Sequence, residues 1–502
     1  ARNDFFQSLS MFKLAHILRK IYLTFFNLQN QVLKKALGIL LIQLQEIMSA
    51  IQAVRLKKHL MRLAAEIKKN NIRIVGVKIW YGEAYKNAQY LINKLKKIAP
   101  EVITIAGGYH VTLYEKHVLE TSAFDLGVVC EGEYTLDKIL EVIDRYENNW
   151  DKGKVLAEIT CLAEQEQIEN LIYRKGINIY ETKRHFAHNS RSIPRYTLDE
   201  NKVRIHVMVE SLGCDWARCN FCVHPYFYPH YSLRDTDEIA EEMKEMLRIG
   251  IGIFRFAGSD TPPAFGEKLA QKIIDRKLKV IFGMFSRPIR SAQKSYDSLV
   301  NSYATMIKGG LRAVFMGAES GNDFINQEVM NKGVVFEDIV FTIKVLKMAQ
   351  RLAGEKVYLS LALIYPPPLL GKISLEDVEK DNMRLLQETM PDSVMITPPG
   401  PFLHTKWYNE RQKFGFVFEE RLLKQFMEYE YVLYKPPYLW PKLRMSLEGK
   451  PFTKILEECS KLRERVKKEL GIPTDISDEH FLMFYAAGIR EGEEIKKAKQ
   501  ET

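Results

Sequence analysis

The sequence predicts an α/β protein, with a parallel-sheet domain over residues 71–150, a partial (β/α)6 barrel over 201–418, and helical segments at both ends. Three observations carry that prediction. Strand-like apolar runs alternate with helix-like stretches from about Ile72, the same alternation resumes at Val203, and the two ends, 1–70 and 419–502, read as helices.

Residues 1–70 form a basic amphipathic segment. Leu14, Ile17, Leu18, Ile21, Phe25 and Leu28, then Leu37, Leu40, Leu41, Leu44, Ile47, Met48 and Ile51, recur at helical spacing with no proline to interrupt them. Twelve Lys or Arg against Asp4, Glu46 and Glu66 give this segment +9 of the chain's +10. Such a stretch either binds a membrane surface or an acidic partner, or caps the next domain with its basic face in water. Nucleic acid is not expected as a partner, because no reader motif accompanies the charge.

In the second segment Ile72 to Trp80 reads as a strand, Ala84 to Ile98 as a helix, Val102 to Ala106 as a strand ending in Gly107 and Gly108, and Leu126 to Cys130 as a strand before a helix from Thr135. Strands separated by helices imply a parallel sheet covered on both faces, with ligands at the carboxyl ends of the strands. Residues 151–200 are expected to be a connector with a short hairpin, Leu171 to Arg174 and Ile177 to Tyr180.

Six further strands are expected at Val203–Val209, Ile253–Ala257, Val280–Phe285, Ala313–Met316, Val357–Ile364 and Ser393–Thr397, and these make the partial barrel. Their ends carry Gly258-Ser259-Asp260, Ser286-Arg287, Glu319-Ser320-Gly321 and proline runs. Asp260 is either a polar group over the site or a cap before Pro262. Residues 419–502 are expected to be a helical domain rich in aromatics, including Tyr429, Tyr431, Tyr434, Tyr438, Trp440, Phe481 and Phe484, which either covers the substrate or forms an ordinary core. The charged tail EGEEIKKAKQET is expected to fray.

Composition narrows the class of protein. A chain of 502 residues, 46% hydrophobic and 27% charged, suits a soluble protein of several domains. Its six cysteines are too few for a disulfide framework and point to a reducing cytoplasm. The uncharged run Ala36 to Ile42 is far too short to span a bilayer.

Half of those cysteines, Cys214, Cys219 and Cys222, lie within nine positions as C-x4-C-x2-C. Three thiolates on one loop can hold three irons of a [4Fe–4S] cluster and leave the fourth open to a small molecule. The rival is zinc, with His224 completing a Cys3His set, although structural zinc ligands usually come as two separated pairs. Phe221, just before the last cysteine, either shields a cluster or simply packs.

Taken together, these residues resemble the cobalamin (B12)-dependent radical S-adenosylmethionine (SAM) enzyme family, over roughly residues 70–400. AGGYHVTLYEKHVLE and LGVVCEGEYTLDKILE are similar to its cobalamin-binding half, and GCDWARCNFC, AGSDTP, GMFSRP and GAESGNDFINQEVMNKG to its radical SAM half. One more residue lies between Cys214 and Cys219 than in the usual spacing, and the usual first strand and helix of the cobalamin domain are not recognisable in residues 1–70. The resemblance implies a Rossmann-like cobalamin-binding domain over 71–150, in which Trp80, Gly107, Gly108, His110, Thr112, Glu131, Gly132 and Glu133 contact cobalamin. It implies that Ser259, Asp260, Ser286, Arg287 and Glu319 contact SAM, and that Cys214, Cys219 and Cys222 ligate the [4Fe–4S] cluster as the catalytic set.

The reaction so implied is C-methylation of an unactivated carbon, on a peptide or protein side chain, by a 5′-deoxyadenosyl radical and methylcobalamin. An electron donor of flavodoxin or ferredoxin type is implied as a partner. The alternatives are a rearrangement, cyclisation or carbon–carbon bond formation on a lipid or natural product, and, from another class, a zinc-stabilised protein binding a membrane or partner. Trp80 and Tyr365 either line the substrate gap or pack in the core.

Overall fold

The computed structural model describes residues 31–80, 82–186, 193–196, 205–291, 295–419, 423–429, 437, 440–474 and 476–486. The amphipathic stretch before Gln31, the strand start at Val203, Tyr431, Tyr434, Tyr438 and the charged tail lie outside the described residues.

Helix α1 (Gln31–Lys69) is one continuous element. Its Leu60, Leu63, Ala64 and Ile67 recur at helical spacing and join the core beside α2 (Gly82–Ile98), whose inward stripe is Tyr85, Ala88, Leu91, Ile92 and Leu95. Strands β1 (Ile74–Lys78), β2 (Ile103–Gly107) and β3 (Leu126–Val128) pair in parallel, with Ile74 beside Ile103 and Ile105 beside Leu126. Helices α3 (Tyr109–Tyr114) and α4 (Lys116–Glu120) follow β2, whereas α5 (Glu133–Asp144) and α6 (Lys152–Glu164) cover the opposite face. Ile103, Ile105, Leu126 and Val128 pack with Ile139, Val142, Val155 and Ile159 on that face, while Ala106 joins the core on the other side.

The segment 151–200 is more than a connector. Strands β4 (Leu171–Lys175) and β5 (Asn178–Glu181) form the expected hairpin, but β4 pairs antiparallel with β3, so the hairpin completes the first sheet in the order β1-β2-β3-β4-β5. Leu171, Ile172 and Tyr173 are buried there, an apolar demand that a linker would not meet.

The second sheet is parallel throughout, in the order β13-β12-β11-β10-β9-β6, with β6 (His206–Met208), β9 (Ile253–Phe256), β10 (Ile281–Ser286), β11 (Leu311–Glu319), β12 (Tyr358–Ile364) and β13 (Ser393–Thr397). A short hairpin, β7 (Ser211–Leu212) and β8 (Ser232–Leu233), brackets the cysteine loop and the small helix α7 (His224–Phe227). Crossovers run through α8 (Thr236–Arg248), α9 (Pro263–Asp275), α10 (Tyr296–Lys308), α11 (Phe336–Ala353) and α12 (Leu375–Thr389). Asp235 starts α8 by accepting the N–H groups of Asp237 at 2.8 Å and Glu238 at 3.3 Å.

The polar side of strand β6 is its buried one. His206, Met208 and Glu210 are buried, while Val207 is 55% exposed. Partners make this tolerable: His206 Nε2 lies 2.7 Å from Glu242 Oε1, and Arg234 pairs with the same carboxylate.

The C-terminal region is not purely helical. Strands β14 (Phe416–Val417), β15 (Ser446–Leu447) and β16 (Lys450–Pro451) form a small antiparallel sheet before α13 (Phe452–Leu470). Nor does helix α14 (Asp478–Ala486) cover the cysteines. Its Phe481 and Leu482 pack on Ala313 and Tyr358, near the amino ends of β11 and β12, and Arg255 bonds Asp478 at 2.8 Å. One mouth of the second sheet is thereby plugged, leaving the carboxyl ends for the site.

Candidate active site

The cysteine loop is held by backbone partners rather than by its own secondary structure. Gly213, at φ 74, allows the turn into Cys214, since a Cβ there would come within 2.9 Å of His230 O. Asn220 donates its N–H to Met330 O at 2.8 Å and its side-chain amide to Val329 O at 3.0 Å, and accepts the Trp407 N–H at 3.0 Å. Asn331 donates to Arg218 O at 2.8 Å and accepts the Trp216 indole N–H at 2.7 Å. The stretch after β11 therefore clamps the loop at three points.

Cys214, Cys219 and Cys222 are half-buried and unpaired by disulfide, and they sense one another electrostatically. Burial pushes the Cys222 thiol up to about 12 and raises that of Cys219, against which Lys332 and Arg287 pull. Such thiols need a metal charge to become thiolates. Among the described residues no three His, Cys, Asp or Glu side chains gather as ligands of a single ion, and His224, the fourth ligand of the Cys3His reading, has its Nδ1 2.7 Å from Ser259 Oγ. Three neighbouring thiols on one loop fit a cluster instead, each taking its own iron.

The residues expected around SAM come together at the carboxyl ends of β9, β10 and β11. Asp260 is buried and accepts the Arg287 N–H at 2.9 Å, so it ties two strand ends together instead of capping α9. Burial lifts its carboxyl to about 6. Ser259 Oγ lies 2.7 Å from His224 Nδ1, joining that turn to the helix just after Cys222. Ser286 donates to Arg287 O at 3.1 Å. The Arg287 guanidinium reaches Asp215 at 3.1 Å and Lys332 O at 3.0 Å, and lies over Trp216. Glu319, at φ 60 and buried, accepts from Lys332 Nζ at 2.8 Å. Burial works against the Lys332 charge, but Glu319 and the Cys219 sulfur outweigh it and raise its pKa.

Two residues in this web were not expected. Lys332 lies inside the quoted run VMNKG, yet nothing local says that its side chain turns back onto Glu319. Glu210, a carboxylate at the end of a strand, is of a type that is ordinarily exposed. It is buried instead, and accepts the Gly258 N–H and the Thr261 hydroxyl, each at 2.9 Å, which arches the Gly258 to Asp260 turn. Burial lifts its carboxyl to about 7. A Cβ on Gly258 would collide with Ser211 and Glu210, so the close approach requires glycine.

A cavity of about 190 Å³ adjoins the loop, walled by Phe221, Ile364, Thr397, Phe402, Trp407 and Trp440. Tyr365 stays in the core, bonded to Glu379 at 2.9 Å.

The first sheet presents the other edge. Trp80, 43% exposed after β1, stands edge-on to Tyr109 at 4.6 Å. Gly107 ends β2, and Gly108 has φ 98, with Ile79 O 2.7 Å from where a Cβ would stand. Glu131 and Gly132 follow β3, and Glu133 is exposed in the first turn of α5. His110 and Thr112 lie below this edge. The His110 ring is buried between Tyr85 and Tyr114, 4.7 Å from each, and burial lowers its pKa to about 4. Thr112 accepts the Cys130 N–H at 2.9 Å, binding the β2 and β3 turns together. An exposed indole beside open glycine backbone fits a broad, flat ligand such as a corrin.

The two edges meet. Tyr109, next to Gly108, bonds its hydroxyl to that of Tyr228 at 3.1 Å, and its ring meets Phe227 at 5.2 Å. Tyr226 stacks on His404 at 3.6 Å and bonds Glu115, which also pairs with Arg184. His404 and Leu113 O are 3.1 Å apart. The helix after Cys222 is thus seated on the turn after β2.

The comparisons agree with this division. The B12 binding domain model matches residues 42–140, and the radical SAM superfamily model matches 209–359. A protein named as a methylthiotransferase in Methanocaldococcus jannaschii is 25% identical over 422 residues, 76% of this chain and 85% of that protein. The anaerobic magnesium-protoporphyrin IX monomethyl ester cyclase of Rubrivivax gelatinosus is 23% identical over 299 residues, 55% of this chain and 48% of the cyclase. This chain therefore spans about half the length of that relative. Among solved structures, the radical SAM methyltransferase TsrM from Kitasatospora setae, with cobalamin and a [4Fe–4S] cluster, has a TM-score of 0.60 at 14% identity, covering 86% of this chain and 88% of that one. The cobalamin-dependent radical enzyme OxsB, with aqua-cobalamin and SAM, has a TM-score of 0.52 at 15% identity, covering 82% of this chain and 55% of its own.

Proposed function

We propose that this chain, which carries a B12-binding domain and a radical SAM domain, is an enzyme whose reaction is C-methylation of an unactivated carbon. One observation carries the proposal most: the cysteine loop and the glycine edge of the first sheet face a common seam through Tyr109 and Tyr228. A ligand of the glycine edge would there lie beside a ligand of the cysteine loop, as group transfer between two cofactors and one substrate requires.

When bound, the cofactors would supply radical chemistry from SAM, for removal of a substrate hydrogen atom, and a methyl group from cobalamin. The chain's own residues bind and orient. Cys214, Cys219 and Cys222 would hold the [4Fe–4S] cluster, which would offer an open iron to SAM. Glu319 and Lys332, a carboxylate beside an ammonium, match in opposite sense the ammonium and carboxylate of SAM's methionine end. The aromatic cavity at Phe221, Trp407 and Trp440 suits the flat adenine. Asp260 and Glu210 fix the turn between them by accepting backbone N–H groups. Trp80, Gly107 and Gly108 offer the face for the corrin, with Glu131, Gly132 and Glu133 at its rim, while His110 and Thr112 brace it from below. A flavodoxin- or ferredoxin-type donor supplies the electron. All six cysteines are free, which supports a reducing compartment such as the cytoplasm.

The test needs no knowledge of the substrate. Anaerobically reconstituted protein is given a reductant and SAM carrying a trideuterated methyl group. S-Adenosylhomocysteine together with deuterated methyl on cobalamin is the expected result. 5′-Deoxyadenosine alone would contradict methylation and favour ring closure or rearrangement, the reading that the likeness to the cyclase supports.

A further inference from the structure

The outward face of α1 is unusual for a helix that already buries one side. Leu60, Leu63, Ala64 and Ile67 face the first sheet's core. On the opposite side Ile47, Ile51, Val54 and Met61 are 56%, 44%, 54% and 48% exposed. They stand at i, i+4, i+7 and i+14, and so form a second stripe along one line of the helix. At 100° per residue, Arg55, Arg62 and Lys69 run along one flank of that stripe, Lys57 and Lys68 along the other, and Lys58 lies within it, all exposed. Over its 39 residues α1 carries eight Lys or Arg against Glu46 and Glu66.

We propose that this face docks in the plane of an anionic lipid surface. An apolar stripe edged on both sides by long basic side chains lets the apolar groups enter the acyl boundary while the charges rise to meet phosphate headgroups. A second copy of the chain is the poorer occupant. Pairing two such helices in either direction would bring basic flank against basic flank, with only two carboxylates on each helix to offset them. Among the described residues no helix is long and apolar enough to cross a membrane, so the contact is with the surface. The arrangement would bring this enzyme beside substrates or donors held at that surface.

Sedimentation of the full chain with vesicles tests the proposal, using phosphatidylcholine alone or mixed with phosphatidylglycerol. Binding is expected only with phosphatidylglycerol, and is expected to weaken as salt screens the charges. The Ile51→Glu/Val54→Glu and Arg55→Glu/Lys58→Glu/Arg62→Glu variants should each bind at least about tenfold more weakly, with unchanged melting temperature because these side chains are exposed. The milder Ile51→Ser/Val54→Ser pair must weaken binding in the same direction. Wild-type chain left in the supernatant with anionic vesicles overturns the proposal, as does unchanged binding by the serine pair. So does a wild-type dimer that the glutamate pair disperses, which would assign the face to a second copy.

Discussion

The two edges that meet at the seam are built in opposite ways. On the second sheet the side chains of the candidate site are bound to one another or to neighbouring backbone: Glu210 to Gly258 and Thr261, Asp260 to the Arg287 N–H, Glu319 to Lys332, and Ser259 to His224. On the first, open backbone and one exposed ring make the surface, and the polar residues just beneath, such as Thr112, serve the fold. A small charged ligand calls for fixed polar partners, whereas a broad macrocycle calls for a shaped, permissive surface. Damage to one edge should therefore read out as lost chemistry, and damage to the other as lost fit.

The largest separation is expected from Cys214→Ala, Cys219→Ala or Cys222→Ala. Each should lose its iron and reduce SAM cleavage to background while cobalt content, measured in the same sample, stays at the wild-type level. Equal loss of cobalt would mean that the edges are not independent.

Next comes Lys332→Met. It strands the buried Glu319 carboxylate, and removing one partner of a buried pair costs about 3–5 kcal/mol. Denaturant unfolding should show that loss, and the Glu319→Gln/Lys332→Met double variant should recover most of it without recovering SAM binding by equilibrium dialysis. Recovery of both would make the pair purely structural.

Glu210 provides a pH signature. Its carboxyl is raised from 4.5 to about 7, so between those values the folded chain keeps a proton that the unfolded chain has released. Stability from this group is full below about pH 4.5, falls by about 3 kcal/mol as pH rises to about 7, and is flat above. Denaturant unfolding of both chains across that range should show the wild type losing about 3 kcal/mol relative to Glu210→Gln, a difference from which the titrations of Asp260 and His110 drop out.

The smallest effect is expected at the first edge. Gly108→Ala forces a side chain into φ 98 against Ile79 O, a strain of about 1–3 kcal/mol. Reconstitution should show weaker cobalamin retention with normal iron. Unchanged cobalamin binding would move the corrin away from this turn.

The contrast also explains what could be read from the sequence. Strand and helix alternation from Ile72 to Thr397, and the thiol triplet, depend on local period and spacing, and they reappear within a few residues of expectation. Inward and outward sides were harder to assign. His206 and Glu210 are polar yet buried, because Glu242, Gly258 and Thr261 supply partners from distant segments. Lys332 was missed for the same reason, its partner being set by the return of the chain after β11. The hairpin at Leu171–Glu181 was seen, but its pairing with β3 is tertiary. Short strands such as Ser446–Leu447 are too brief for any period to show.

One chain is expected to hold an iron–sulfur cluster and a corrin across one seam. Metal analysis of anaerobically purified protein, reconstituted with iron, sulfide and cobalamin and then desalted, tests that most directly. About four irons and about one cobalt per chain are predicted. Iron without cobalt, or zinc without iron, would contradict it.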